Sequence, residues 1–403
     1  MSFMAKAYKD MGDRLGSKIL YLEAFGQSIV VLNDFRMASD LLDKRSALYS
    51  SRPHMNMLMD VVGIDYMFGA MPYGQEWRRY RRLFQQYYAA TNIEGEQEKM
   101  IEFVRKGILP NMLQSPRDSL QHIRDGIGGY AISSTYGCSI RKRGDTTLKE
   151  SERAFDAIAQ ASAPGTFFVE IIPILRYIPE WVPGAGFKVL ARATDTTSAA
   201  VTTFILAMLL NPRVQNLAQQ EIDAVIGRER LPNFSDLPHL PYLSAVFKEV
   251  LRCIPHYTIE EDTYEGYRIP KGSIVLANAV AMLHDGEVFE DPNEFIPERY
   301  IRGGKINPDV PDPEDYATFG FGRRACPGSH IAMANLSITA VSILSVFDIS
   351  PELNEDGIPI KVVPQFRGDA LTSSPLPFPF KITPRVGVDI ENLLKEYMDF
   401  EMI

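Results

Sequence analysis

Cys326 lies in the segment whose residue types point most directly to chemistry. Residues 319–328 read Phe-Gly-Phe-Gly-Arg-Arg-Ala-Cys-Pro-Gly, and a strongly apolar stretch over 329–347 follows at once. That stretch predicts a helix with Pro327 at its first position. A helix N-terminus lowers the pKa of a nearby thiol, so Cys326 is expected to be an ionised sulfur ligand.

The residues around Cys326 suit an iron carried by a flat ring. Gly322 and Gly328 would let the backbone approach such a ring and aim amides at the sulfur, contacts that tune an iron's redox potential. Phe319 could cover the sulfur side of the ring, and Arg324 could pair with a propionate at its edge. The pattern predicts haem with Cys326 as axial ligand. The alternative is an inert buried cysteine in a Gly-rich turn.

The complete pattern at 319–328 resembles that of the cytochrome P450 family. Segments 25–32 and 265–273 resemble fungal microsomal members of that family. The resemblance covers nearly the whole chain and implies one domain over 1–403, mainly α-helical with small β-sheets. It implies a haem b monooxygenase on the cytosolic face of the endoplasmic reticulum, supplied with electrons from NADPH by NADPH-cytochrome P450 reductase.

A charge network is predicted beside the haem. Glu249 and Arg252 lie three residues apart in a predicted helix over 242–254, and Pro-Glu-Arg ending at Arg299 follows. The resemblance implies a buried network of these three residues on the proximal side, with a structural role. The alternative is a surface pair that contributes little.

Propionate partners are also implied by the resemblance. Trp77 and Arg81 match a Trp-x-x-x-Arg pattern, which places both on one helical face toward a propionate. His256 lies where relatives have another such partner. The alternatives are core packing for Trp77 and a surface position for His256.

Three arginines add positive charge to the same predicted helix. Arg78, Arg79 and Arg82 form a local basic patch in an otherwise acidic chain. The patch could dock an acidic electron donor, or it could be an ordinary solvated helix face.

Asp195 and Thr196 lie in a predicted long helix over 189–210. The resemblance places them above the iron, where dioxygen cleavage needs two protons delivered without flooding the site with water. Thr196 would then donate a hydrogen bond and Asp195 would relay protons from solvent. The alternative is a short polar patch on a helix.

Composition bounds these interpretations. The chain has 403 residues and a net charge of −9, which argues against non-specific nucleic-acid binding. Its three cysteines are far apart, so a disulfide framework or a structural zinc site is not expected. Residues 1–16 are polar, and no run of eighteen apolar residues occurs, so neither a signal peptide nor a spanning helix is expected.

The predicted elements are mostly helices. A strand pair is predicted over 17–33 and a strand-turn-strand unit over 264–279. The predicted helices not yet mentioned cover 34–42, 74–88, 101–113, 119–136 and 214–226.

The chain departs from the family pattern in three places. No N-terminal anchor is expected before the first strand, and 186–190 run directly into 191–195, where relatives have further helices. Arg192 shares a face with Asp195 and could pair with it. An apolar strand expected near Cys253 is also shortened. Both internal deletions fall on the substrate side, so haem binding should be retained better than oxidation.

The leading hypothesis is therefore a monomeric monooxygenase of secondary metabolism acting on a small apolar organic molecule. A haem-binding but catalytically impaired family member is the second hypothesis. A metal-free interaction protein is the third.

Overall fold

The computed structural model describes most of the chain. The described residues are 3–24, 26–89, 91, 93–137, 145–150, 167–170, 172–177, 199–250, 256–368 and 373–398. The statements below concern these residues.

The described chain is mainly helical, as the sequence predicts. The α-helices are Phe3–Leu15, Phe35–Ala38, Ser46–Tyr49, Gln75–Tyr87, Ile93–Glu102, Leu109–Gln114, Ser119–Tyr136, Ala199–Leu210, Pro212–Val225, Pro241–Lys248, Ala279–Leu283, Ser329–Val346 and Ile390–Met398. The π-helical segments are Ser39–Lys44, Asn56–Val61, Phe103–Ile108 and Glu314–Thr318. The 3-10 turns are Pro116–Asp118, Phe168–Glu170, Pro173–Tyr177, Phe234–His239, Pro297–Tyr300 and Gly322–Arg324.

The strands form small sheets. They are β1 Ile19–Ala24, β2 Gln27–Leu32, β3 His256–Tyr257, β4 Asp262–Tyr264, β5 Tyr267–Ile269, β6 Ile274–Ala277, β7 Ile301–Arg302, β8 Lys305–Ile306, β9 Phe347–Ser350, β10 Phe366–Gly368, β11 Ser373–Pro375 and β12 Lys381–Pro384. One sheet has the order β1-β2-β6-β3, and the other pairs are β4-β5, β7-β8, β9-β12 and β10-β11.

The first predicted strand pair is present, and the second is only partly correct. β1 and β2 pair antiparallel, with Ile19 opposite Leu32. The predicted turn at 270–272 exists, because the Ser273 amide donates to the Pro270 carbonyl at 3.2 Å. However, β5 pairs with β4, whereas β6 pairs with β2 and β3. The turn therefore separates two sheets instead of joining two strands of one sheet.

One predicted helix is interrupted in the structure, and another ends earlier than predicted. The segment predicted over 101–113 is interrupted by the π-helical Phe103–Ile108, just before Pro110, whose missing amide hydrogen would break a regular ladder. The helix predicted over 242–254 spans Pro241–Lys248, and the Glu249 amide donates to the Val246 carbonyl at 3.2 Å. This tighter bond places Glu249 just after the helix.

The largest hydrophobic core surrounds helix Ser329–Val346, which follows the cysteine loop. Its residues 335, 336 and 338–346 are buried. Among the described helices it is the one long and apolar enough to cross a membrane, and 67% of it lies inside the protein. It therefore serves as the core helix that fixes the end of the cysteine loop.

Candidate functional site

The loop over 319–328 presents an accessible thiol. The Cys326 amide donates to the Phe319 carbonyl at 2.8 Å, which closes the loop, and the Cys326 side chain is exposed. The following helix begins at Ser329 with Gly328 as its N-cap. Pro327 therefore lies before the helix, and its predicted place at the first helical position is wrong, because a turn at Pro327 and Gly328 comes first.

Gly322 is required by packing within the protein. Its φ is +55°, and a Cβ at this position would lie 2.2 Å from the Leu42 carbonyl oxygen. Gly328 has ordinary room, since a Cβ there would lie 3.6 Å from Cζ of Phe84. The sequence predicts that Gly322 lets the backbone approach the ring. In the structure, the contact that excludes a side chain at this position is with the Leu42 backbone.

Arg324 is a buried cation held by carbonyl oxygens. Its Nε donates to the Ser50 carbonyl at 2.5 Å and its Nη2 to the Met71 carbonyl at 2.6 Å. Burial, followed by the charge of Arg52, lowers the pKa of Arg324 to about 9. No carboxylate of the described residues pairs with it, so the protein leaves a positive charge uncompensated here.

Trp77 and Arg81 come to the same place from helix Gln75–Tyr87. The Arg81 Nη1 donates to the Ala325 carbonyl at 2.7 Å, one residue before Cys326. The Trp77 ring lies 4.4 Å from the Arg324 guanidinium carbon. Burial lowers the pKa of Arg81, and the charge of Cys326 acts in the opposite direction.

The indole nitrogen of Trp77 indicates which kind of group this site can bind. Trp77 is 4% exposed, and its buried Nε1–H has no acceptor among the described residues. Leaving such a donor unpaired is costly, so an acceptor is expected from a bound group. An unpaired donor beside two arginines and an accessible thiol suits a ligand with carboxylates and a thiolate-binding metal. These residues therefore fit haem.

Glu249 and Arg299 form a buried ion pair. The Arg299 Nε lies 2.7 Å from the Glu249 Oε1, and the two side chains are 9% and 8% exposed. The other Arg299 nitrogens donate to backbone carbonyls, including that of Asp291 at 3.1 Å. The predicted pair of Glu249 with Arg252 is not tested, because Arg252 lies outside the described residues.

Several expected site residues fall outside the described chain. They are Asp195, Thr196, Arg192 and Arg252, and the side chain of His256 is likewise not described although its backbone forms β3. The structure therefore brings together Trp77, Arg81, Arg324 and Cys326 in one place, and Glu249 with Arg299 in another.

The basic patch lies on the solvent side of helix Gln75–Tyr87. Arg78, Arg79 and Arg82 are exposed and line one surface groove together with Glu76. The geometry suits an acidic partner and an ordinary solvated face equally.

Sequence reasoning missed the backbone carbonyls of Ser50 and Met71 and the nearby Arg52. Carbonyl acceptors carry no side-chain signal, so only their position in the fold reveals them. Arg52 carries no local signal either, because isolated arginines occur along the whole chain.

Comparisons with known proteins identify the family of this chain. A model described as cytochrome P450 matches residues 184–366. Cytochrome P450 monooxygenase ple1 of Rhodocybe pseudopiperita is 36% identical over 449 aligned residues, which cover 94% of this chain and 85% of that protein. Cytochrome P450 monooxygenase COX2 of Coprinopsis cinerea is 35% identical, with 94% and 84% covered. Tryptamine 4-monooxygenase of Psilocybe cyanescens is 33% identical, with 91% and 85% covered. With identity above 30% over nearly the full length, this chain belongs to the cytochrome P450 family.

Proposed function

We propose that this chain is a haem b monooxygenase that inserts one oxygen atom of O2 into a small apolar organic substrate, while the other leaves as water. Membership of a monooxygenase family supports the reaction class. The observation that carries the proposal is the accessible Cys326 thiol beside two arginines and a buried indole donor that lacks an acceptor.

The described residues would bind the haem through its iron and through its propionates. Cys326 would ligate the iron through its thiolate, and haem so ligated supplies the activation of O2. Arg324, Arg81 and Trp77 would bind the propionates by charge and hydrogen bonds. Phe319 would cover the sulfur side of the ring with its side chain, and its carbonyl accepts from the Cys326 amide at 2.8 Å.

Proton delivery is assigned to Asp195 and Thr196. A threonine hydroxyl can donate a hydrogen bond at the reacting oxygen, and a neighbouring acid can exchange protons with solvent. We also propose His256 as a further propionate partner, and a network role for Arg252 beside Glu249 and Arg299. The ion pair between Glu249 and Arg299 supports that network.

We extend the proposal to the partners and location of the protein. NADPH-cytochrome P450 reductase would supply electrons, docking at the exposed arginines 78, 79 and 82. The protein would act as a monomer, as one domain over 1–403, on the cytosolic face of the endoplasmic reticulum. We assign the protein to secondary metabolism, as its similarity to fungal monooxygenases supports.

The test combines a spectrum with turnover. The purified chain, expressed with haem supply, should give the carbon monoxide difference spectrum of a thiolate-ligated haem, and Cys326→Ala should abolish it. Arg323→Met is the matched control in the same loop, because Arg323 is an exposed arginine. Its Nη1 donates to the Tyr73 hydroxyl at 2.6 Å. An unchanged spectrum in Cys326→Ala would refute the assignment.

A second candidate is a haem-binding protein with impaired oxidation. The alignment to the Rhodocybe relative spans 449 residues, more than the 403 of this chain, so that relative carries residues without a counterpart here. Internal deletions would produce this difference. A thiolate-type spectrum without NADPH-driven product, in the presence of reductase, would favour this candidate.

A further inference from the structure

Arg324 ties together the two ends of one loop, segment 50–71. Its two acceptors are the carbonyls of Ser50 and Met71, which begin and end that segment. Arg52 adds a third tie, because its Nε donates to the Gly69 carbonyl at 3.3 Å. The position of the Arg324 guanidinium therefore depends on the conformation of segment 50–71.

The same segment also packs directly on Trp77. The Phe68 ring stacks on the Trp77 ring with centroids 5.7 Å apart and planes 17° apart. The segment thus contacts two of the three residues that would bind haem carboxylates, Arg324 and Trp77. A change in its conformation would move the indole donor and the guanidinium together.

Segment 50–71 is held from outside by a second stretch, residues 167–170 and 172–177. The two form a small hydrophobic cluster that is separate from the main core. Its buried members are Met57, Leu58, Met59, Ile64, Ala70, Phe167 and Val169. Four methionines of segment 50–71 belong to this cluster or pack against it, and flexible methionine side chains alone specify a conformation poorly. Directional contacts are needed to fix it.

Glu170 supplies such contacts. Its two carboxylate oxygens accept from the backbone amides of Asn56 at 3.0 Å and Met57 at 2.7 Å, at the start of the π-helical Asn56–Val61. A carboxylate at this end of a helical segment is favourable, and hydrogen bonds to an ionised acceptor are strong. Burial raises the pKa of Glu170, whereas the two amides act in the opposite direction. The hydrogen bonds to these two amides therefore offset part of the cost of burying the Glu170 carboxylate.

The other end of the same helical segment is also held. Asp60 pairs with Arg176 from the second stretch, and the His54 Nε2 lies 3.1 Å from the Asp60 Oδ2. Glu170 and Arg176 thus contact the two ends of Asn56–Val61. The resulting arrangement is a two-point clasp.

We propose that Glu170 is a positioning residue that, through this clasp, holds segment 50–71 so that Arg324 and Trp77 face the carboxylates of bound haem. The inference rests on the proposed function, since it assigns the bound group as haem. Glu170 lies more than 150 positions from Arg324 in sequence, and its carboxylate accepts from the amides of Asn56 and Met57 in segment 50–71.

The experiment compares Glu170→Ala and Glu170→Gln with the full-length haem-loaded parent. Haem loss is followed by absorbance as excess apomyoglobin captures the released haem. Glu170→Ala should speed haem loss about tenfold, the scale of weakening one charge-assisted hydrogen bond between Arg324 and a propionate. Glu170→Gln retains one acceptor oxygen and should give an intermediate rate. Glu261→Gln is the matched control, because Glu261 pairs with Arg268 at an exposed site.

A double-mutant cycle separates positioning from general loosening. If Glu170 acts partly through Arg324, then Glu170→Ala should accelerate haem loss less in an Arg324→Met background than in the parent, because only Trp77 then remains to be positioned. Equal acceleration by Glu170→Ala in both backgrounds would overturn the proposal. So would a rate for Glu170→Ala equal to that of Glu261→Gln.

Amide hydrogen exchange supplies a readout that does not need haem. The peptide containing Asn56 and Met57 should exchange faster in Glu170→Ala than in the parent, and Glu170→Gln should be intermediate. Should Glu170→Ala fail to fold, Arg176→Met opens the other end of the clasp and must speed both exchange and haem loss. A parent without bound haem would refute the proposed function before any variant is compared, whereas unchanged exchange in a haem-loaded Glu170→Ala would refute the clasp.

Discussion

Arg299 and Arg324 are both buried arginines, the first before the cysteine loop and the second within it, yet only one of them has a carboxylate partner among the described residues. Arg299 is neutralised by the equally buried Glu249 at 2.7 Å. Arg324 receives only carbonyl oxygens from the described chain, and its pKa is lowered to about 9 by burial and by Arg52. A paired charge stabilises a fold once both partners are in place, whereas an unpaired one indicates that a ligand completes the site.

Arg385 belongs with Arg299 in this comparison. It is 7% exposed, and its two terminal nitrogens donate to the two oxygens of Asp223 at 3.0 and 2.9 Å. Two of these three buried arginines thus carry their own carboxylate. The exception lies beside the thiol, where an anionic cofactor is expected.

The largest expected effect comes from removing the carboxylate of a paired arginine. Glu249→Ala should lower the free energy of unfolding by about 3–5 kcal/mol, because it leaves the buried Arg299 without its counter-charge. Asp309→Ala is the control, since Asp309 and Arg302 are both more than 60% exposed and should contribute about 0–1 kcal/mol. Urea denaturation measures both, and similar losses in the two variants would contradict the burial argument.

The turn that carries Arg324 gives the next effect. Gly322→Ala should cost about 3 kcal/mol, because left-handed strain adds to a clash of the new Cβ with the Leu42 carbonyl. Gly320→Ala has a similar φ of +75° but open space, so it should cost only about 1–2 kcal/mol. Urea denaturation of both variants tests the difference, and equal costs would show that the contact with Leu42 relaxes freely.

Arg324→Met should separate stability from haem retention. In the haem-free chain, removing an uncompensated buried charge offsets the loss of two hydrogen bonds, so the free energy of unfolding should change by less than about 1 kcal/mol. In the haem-loaded chain, haem loss should become about tenfold faster, because a charge-assisted bond to a propionate is missing. A large loss of stability without faster haem loss would place Arg324 in the same structural class as Arg299.

The smallest effect is the pH dependence of stability that comes from Asp223, the carboxylate partner of Arg385. Burial would raise the pKa of Asp223, but hydrogen bonds from Arg385 and Arg228 lower it below its ordinary value of 3.8. A lowered carboxyl pKa adds stability above the unfolded-state pKa, and this stability is lost as the pH falls through the folded-state value. The stability difference between the parent and Asp223→Asn should therefore be constant from pH 7 to about pH 5 and shrink below about pH 4. A difference that persists at pH 2 would contradict the assignment.

Much of the fold follows from local sequence patterns. The helices Gln75–Tyr87 and Ser119–Tyr136 and the pair β1-β2 lie where periodicity and turn residues predict them. These elements depend on contacts close in sequence, which local patterns encode directly. The pairing of β6 with β2 joins residues more than 240 positions apart, and no local pattern specifies such a partner.

The functional site also has features that the sequence predicts and features that it does not. By itself the sequence determined the nature of the chemistry, because Cys326, Arg324, Trp77 and Arg81 are side chains whose types and spacing carry the signal. Only the tertiary structure decided which arginine has a carboxylate partner and which lacks one. It also revealed that backbone carbonyls of Ser50 and Met71 hold Arg324 and that Glu170 reaches their loop. Backbone acceptors are identical at every residue, so only the path of the folded chain distinguishes those that matter.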